Sequence, residues 1–310
     1  VFNNRYELVE RLGEGGMGRV LLARDLAESS DPVAIKILLP EFRHSIGTFL
    51  DEYVVQRGFD HPNIPRVHDF GFAKHPRGGE VPYFSLEYCR GIPLILAIRR
   101  VKRLQESWPW MAQLLRGLDY MHRMGWLHRD LKPGNVLVDM QDTGDRACRL
   151  IDLGVATRLG KGPEGFFIGT PEYCAPEMLA GDPFDQRSDL YSFGLVLYEL
   201  VERKRPWAGS DENELLKARL KNQPPKISHP DCPSDIEALI YELLSPDPSK
   251  RPTHAHEVLV RLCEATGQDP VIETESAFGK HLQSSPFPGR DAFLGAGDSC
   301  LSWLKPGMNI

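Results

Sequence analysis

The 310-residue chain has no apolar run approaching the ~18 residues that a membrane-crossing helix requires. Its densest run, Phe193 to Val201, is interrupted by Gly194 and Glu199. No secretory leader is visible either, so a cytoplasmic location without a membrane segment is expected. Basic charge is not in excess. With 37 Lys+Arg against 43 Asp+Glu, the formal net charge is −6. That balance offers no broad positive field to nucleic acid, so no nucleic-acid partner is expected. The six cysteines are scattered without a C-x-x-C pair, which argues against a zinc ribbon and a disulfide scaffold. Internal repeats are lacking as well. The chain begins at Val1 rather than Met and is read as a piece of a longer protein.

What is present changes character along the chain. Tyr6 to Leu12, Arg19 to Arg24, Pro32 to Leu38 and Val81 to Tyr88 read as strands, interrupted by one helix. Thr48 with Asp51 resembles a capping pair at its start, and Phe49, Tyr53, Gln56 and Arg57 follow at helical spacing. After Gly91 the period becomes helical. Met111, Leu114, Leu115, Leu118 and Met121 form one apolar stripe that ends before Gly125. Ser188 opens a more apolar helix, Ser234 with Glu237 reads as a capping box, and Thr253 opens a last helix that stops at Gly267. A strand-rich part therefore precedes a larger helical part, with a hinge at Glu87 to Gly91.

Four runs carry chemistry. Gly13-Glu14-Gly15-Gly16-Met17-Gly18-Arg19-Val20 fits G-x-G-x-x-G-x-V. Its glycines let the backbone approach phosphates with no Cβ in the way. A dinucleotide site would need a helix next, whereas Arg19 to Arg24 alternates like a strand. No G-K-[ST] occurs there, which argues against a P-loop. Val33-Ala34-Ile35-Lys36 puts a lysine on a buried-looking strand, where its charge demands a partner. Asp51 and Glu52 are both candidates, but neighbouring helix positions point about 100° apart, so only one can face Lys36. In His128-Arg129-Asp130-Leu131-Lys132-Pro133-Gly134-Asn135, an ammonium and an amide follow Asp130 at offsets of two and five. The carboxylate can accept the proton of an attacking hydroxyl, the ammonium can neutralise a transferring phosphoryl group, and the amide oxygen can hold a magnesium ion. Asp152-Leu153-Gly154 comes 22 residues after Asp130 and supplies a further carboxylate.

Together with Ala175-Pro176-Glu177, these runs resemble the eukaryotic-type (Hanks-type) Ser/Thr protein kinases, including bacterial members. The resemblance implies an α+β, two-lobed fold: a nucleotide-binding N-lobe over 1–90 and a C-lobe with the catalytic and activation loops over 91–267. Residues 268–310 are read as a tail or linker. It further implies ATP with magnesium, or manganese in its place, and protein substrates with Ser or Thr acceptors. Counting back nine residues from His61-Pro62-Asn63-Ile64 selects Glu52 as the partner of Lys36. Asp130 and Lys132 become the catalytic pair, Thr170 orients them, and Asn135 and Asp152 are the metal ligands. His128 is read as packed and structural, Arg251 as the ion-pair partner of Glu177, and Asp189 as a brace for the catalytic loop. Nucleotide contacts fall on Leu12, Gly13, Gly15, Gly18, Val20, Ala34, Lys36, Leu137, the Glu87 carbonyl and the Cys89 amide.

The chain departs from the family pattern in places. Leu153 replaces the usual Phe, and Phe166 stands where many relatives carry a phosphorylated Ser or Thr. Packing of Phe166, Phe167 and Ile168, with Glu164 near Arg129, is expected to hold the loop, with activation through a partner, a dimer or a downstream regulatory domain. Gln56 stands where many kinases place an apolar residue and is expected to weaken the inward set of its helix. Gly134 argues against a preference for basic substrates. Pro286 to Leu294 is similar to the F-x-G-R opening of NTPase domains that follow some bacterial kinases. The competing reading is a pseudokinase-like nucleotide sensor or scaffold, which usually lacks an equivalent of Lys36, Asp130 or Asp152. All three are present here.

Overall fold

A computed structural model describes residues 2–15, 18–27, 31–74, 79–160, 169–207, 211–221 and 223–270. The expectations placed on Glu164, Phe166 to Ile168 and Pro286 to Leu294 lie outside these residues.

The N-terminal part is a five-stranded antiparallel sheet in the order β1 (Tyr6–Glu14), β2 (Gly18–Asp25), β3 (Pro32–Leu38), β5 (Glu80–Glu87), β4 (Val67–Lys74). β-Branched and aliphatic residues suit β3, the middle strand, which is covered on both faces. Side chains alternate along it. Val33 and Ile35 pack with Tyr6, Ala23, Ala73 and Tyr83. Ala34, Lys36 and Leu38 point the other way, where Leu38 joins Phe49 and Tyr53 of helix α1 (Ile46–Arg57) and Phe84. This alternation puts Lys36 on the helix side of the sheet.

Helix α1 begins before the expected Thr48–Asp51 cap. A turn over Pro40–Ser45 runs directly into it, Ser45 is the cap residue and makes no side-chain cap bond, and Thr48 is already inside the helix. Gln56 does not loosen the helix. It is buried, and its amide donates to the Pro65 carbonyl at 3.1 Å, so a polar side chain is accommodated at a core position.

The C-terminal part opens with α2 (Leu94–Arg100) and is helical around α3 (Trp108–Arg123) and, past the short α4 (Pro176–Ala180), α5 (Gln186–Glu202). This part also carries a small antiparallel sheet in the order β6 (Ile92–Pro93), β8 (Val136–Val138), β9 (Cys148–Leu150), and β7 (Trp126–Leu127) pairs separately with β10 (Thr157–Arg158). The apolar stripe read from Met111 to Met121 is buried, as expected for a helix at the centre of the core. Helix α5 starts two residues before the expected Ser188, because Asp185 caps it: its carboxylate accepts from the Arg187 N–H at 2.9 Å. A Cβ on Gly194 would come within 2.8 Å of Leu243, so the glycine lets α7 (Ser234–Leu243) sit close against α5. The capping box read at the start of α7 is not formed. Pro233, extended at ψ 142°, takes the cap position, Ser234 becomes the first helical residue, and Glu237 accepts instead from the Tyr241 hydroxyl at 3.0 Å. The last helix, α8 (Ala255–Thr266), starts two residues after Thr253 and stops at Gly267 in the left-handed region. Among the described residues no helix is long and apolar enough to cross a membrane.

The two parts are joined by polar contacts in the core. Asn63, fully buried after α1, donates its amide to the Asp145 and Cys148 carbonyls at 2.7 and 2.9 Å. Its own carbonyl accepts from the Leu150 N–H at 2.8 Å. The two-lobed α+β architecture expected from the sequence is thus the one observed.

Candidate active site

Lys36 and the helix carboxylates settle into one arrangement. Lys36 Nζ bonds Glu52 Oε1, and Glu52 is 3% exposed while Asp51 faces solvent. The same ammonium lies 3.3 Å from Asp152 Oδ1. Burial works against the Lys36 charge, but the Glu52 and Asp152 carboxylates outweigh it and hold its pKa above the ordinary value. Burial likewise opposes the Asp152 carboxylate, and Lys36 more than offsets this, keeping its pKa low. Leu153, 1% exposed, supplies the packing of the expected Phe. Gly154 sits against both acids: a Cβ there would lie 3.2 Å from Glu52 and 3.4 Å from Asp152.

The side chains of Lys132 and Asn135, in the loop expected to be catalytic, converge on the Asp130 carboxylate. Asp130 Oδ2 accepts from Lys132 Nζ at 2.6 Å and Asn135 Nδ2 at 2.9 Å. Lys132 Nζ also donates to Thr170 Oγ1 at 2.6 Å, which brings the Thr170 segment to the loop across 38 residues of sequence. Asp130 Oδ1 is buried and has no hydrogen-bond partner among the described residues. Asn135 donates from its NH2 to both the Asp130 carbonyl and carboxylate, each at 2.9 Å. Both partners are acceptors, so the amide orientation is set and its oxygen is left to accept elsewhere. The Asn135 carbonyl takes the Ile151 N–H at 2.8 Å, linking this loop to the residue before Asp152. An amide oxygen and a carboxylate are hard oxygen donors of the kind magnesium takes.

Two non-glycine residues here, Arg129 at φ 68° and Asp152 at φ 65°, lie in the left-handed region. Asp189 holds the first of these bends. Its carboxylate accepts the N–H groups of His128 and Arg129 at 2.8 and 2.9 Å and lies 2.8 Å from His122 Nε2. Burial would raise the Asp189 pKa, but the His122 bond and the main-chain donors bring it below the ordinary range. His128 is fully buried and accepts the Asp130 N–H at 3.2 Å, and burial pushes its pKa down, so its ring is neutral and structural.

The residues expected to contact nucleotide are distributed over both parts. Gly13 pairs with Val20 across the β1–β2 hairpin, and the Gly15 N–H closes it onto the Gly18 carbonyl at 2.9 Å. At Gly18 a Cβ would stand 2.5 Å from the Ile37 carbonyl, so only glycine fits beside β3. Leu12 is 41% exposed. Val20 faces Lys36 and Ala34 faces Leu86 in register, while Leu137 lies on the small sheet opposite Arg149. Glu87 uses its side chain structurally, in an ion pair with buried Arg149 and a 3.0 Å contact to Arg146. Burial raises the Glu87 pKa, but Arg149 dominates with its neighbours and lowers it overall. Cys89 Sγ lies 3.8 Å from the Glu87 carbonyl, and burial pushes the thiol up to about 11. At pH 8 Cys89 should therefore react with iodoacetamide roughly a hundredfold more slowly than an ordinary exposed thiol. Peptide mapping of alkylation against time checks this, and a rate equal to that of a free thiol contradicts it.

Sequence reasoning missed His122 and the Glu87–Arg149 pair. A signal existed for the first, since His122 lies four residues after Leu118 and extends the apolar stripe of α3. The second links residues 62 apart, with no local pattern to mark it.

Comparison with known proteins agrees with this geometry. Residues 6–261 match the family described as "Protein kinase domain". The chain is similar to serine/threonine-protein kinase PknA of Mycobacterium tuberculosis (strain ATCC 25618 / H37Rv), 34% identical over 257 residues, covering 80% of this chain and 58% of the relative. It is also similar to serine/threonine-protein kinase PknB of the same strain, 31% identical over 280 residues, covering 86% of this chain and 44% of the relative. The chain spans about half the length of these curated relatives. With the match over residues 6–261, the chain belongs to the protein kinase domain family.

Proposed function

We propose that the chain is an ATP-dependent Ser/Thr protein kinase. The observation that carries this reading is the division of labour on Asp130: Oδ2 is held by Lys132 and Asn135, while buried Oδ1 has no partner among the described residues. A carboxylate fixed through one oxygen presents the other to a proton. An acceptor hydroxyl placed at Oδ1 gives up its proton there as its oxygen bonds to the γ-phosphorus. The bond from phosphorus to the bridging oxygen breaks, and ADP leaves with that electron pair. Lys132, steadied by Thr170, stands beside the same carboxylate to offset charge on the transferring group. Lys36, oriented by Glu52, holds the nucleotide phosphates. Asn135 and Asp152 would hold magnesium, or manganese in its place, and the bound ion would supply neutralisation of phosphate charge. Leu12, Gly13, Gly15, Gly18, Val20, Ala34, Leu137 and the Glu87 and Cys89 backbone form the nucleotide cradle. The lobes are assigned to 1–90 and 91–267, with 268–310 as tail or linker, and the working compartment is the cytoplasm.

Activation without loop phosphate belongs to the same proposal. Of the hydroxyls in the segment between Gly154 and Glu177, Thr170 is bonded to Lys132 and Tyr173 to Glu199. Phosphate on either would displace a contact that organises the site. A partner, a dimer or a downstream domain then supplies the signal. The test is phosphoamino-acid analysis and site mapping after incubation with magnesium and labelled ATP. Phosphoserine and phosphothreonine on an acceptor protein, with Thr170 and Tyr173 unmodified, are expected. Predominant phosphotyrosine, or an essential phosphate on the loop, would contradict it.

A further inference from the structure

Helix α6 (Glu212–Lys221) carries a buried cation. Arg219 is 1% exposed and follows buried Leu215 by one helical turn. Its recorded bonds go to main-chain carbonyls rather than to a carboxylate. Nη1 donates to the Pro171 carbonyl at 3.0 Å and to the Cys174 carbonyl, and Nη2 donates to the Glu172 carbonyl at 2.7 Å. The guanidinium also lies 5.9 Å from the Tyr191 ring of α5, whose ring contacts Arg251 at 4.7 Å. A buried charge is costly and needs a specific set of acceptors to persist. Here a planar fork of donors gathers the carbonyls of the short turn that follows Thr170. That turn begins one residue after the hydroxyl held by Lys132 at 2.6 Å. Other contacts to it involve side chains: Tyr173 with Glu199, and Glu172 with Arg205 at 3.6 Å. Arg219 alone among these grips several main-chain carbonyls and so sets the path of the backbone.

We propose that Arg219 is a positioning residue that clamps the 171–174 backbone from helix α6 and so sets how well a protein acceptor engages the site. This rests on the protein kinase reading of that site. The clamp acts on the acceptor side. The Lys36, Glu52 and Asp152 cluster on the nucleotide side makes no recorded bond to it.

The test is steady-state transfer from ATP to a generic acceptor protein by Arg219→Ala and Arg219→Lys. Lysine keeps the charge but loses the fork. For Arg219→Ala, kcat/KM for the acceptor should fall about tenfold, carried by acceptor KM, with the KM for ATP unchanged. Arg219→Lys should recover part of the loss. An unchanged acceptor KM overturns the proposal, as does a parallel rise in both KM values, which marks general damage. If Arg219→Ala does not fold, Arg219→Lys alone decides by the same split. If the unmutated chain transfers no phosphate, the kinase reading fails separately. Amide hydrogen exchange over 170–174 then tests the clamp: faster exchange confined to that turn in Arg219→Lys supports it, and unchanged exchange overturns it.

Discussion

Asp130→Asn will lower phosphoryl transfer by roughly 10²- to 10⁴-fold, the range a positioned general base contributes. The asparagine can still accept from Lys132 or Asn135 through its oxygen, so the loop geometry has a route to survive. The other position, where Oδ1 stands unpartnered, becomes an NH2 that cannot take the hydroxyl proton. The loss should therefore appear in kcat, with the KM for ATP little changed, because the residues proposed to hold phosphate are Lys36 and the glycine hairpin. Rapid-quench or steady-state kinetics with labelled ATP checks the split. A variant that retains more than a tenth of the activity would remove Asp130 from the proposed role.

Arg251→Met will destabilise the fold by about 3–5 kcal/mol, the cost of breaking a buried pair by removing one partner. Arg251 has a fully buried side chain and meets Glu177 in two parallel bonds, at 2.7 and 2.9 Å. It also donates to the carbonyls of Ser245, Arg187 and Pro246 at 2.8, 3.1 and 3.3 Å. Methionine approximates its volume but leaves Glu177 with Ser188 as its remaining recorded partner, at 2.6 Å. For a domain of this size the expected fall in Tm is roughly 10 °C. Converting Glu177 to Gln in the same protein should return part of it, because the orphaned charge carries much of the penalty. A Tm within about 2 °C of the unmutated protein would mean that the pair contributes little.

Much of the site was legible because its chemistry is local in sequence. Asp130, Lys132 and Asn135 lie within one short loop, and a loop that small brings them to one carboxylate wherever it sits in the fold. Strand β3 was readable to its bounds, since the β-branched and aliphatic run stops at Pro40. Lys36 could be seen to need a partner, but separating Glu52 from Asp51 required the family register, because helix periodicity alone left both open. The contacts that hold the site in place were less visible. Asp189 meets the catalytic loop across about 60 residues, and Arg219 meets the 171–174 turn across about 45. Asp189 could be placed against that loop only through the family resemblance, and nothing in the sequence around Arg219 names the other end of its contact. The misread caps of α1 and α7 have a common cause, while α5 and α8 each start two residues from the expected Ser188 and Thr253. Ser, Thr and acidic residues were read as caps, whereas Pro40–Ser45 and Pro233 shifted the starts by fixing the chain path before the helix.

The most direct test of the central claim is to follow labelled γ-phosphate from ATP, with magnesium, onto an acceptor protein while ATP binding is measured on the same sample. The geometry around Asp130 predicts label on acceptor hydroxyls, abolished by chelating the metal. ATP bound with no label transferred, under conditions where the protein is folded, would contradict it and make the fold a nucleotide-binding module rather than a kinase.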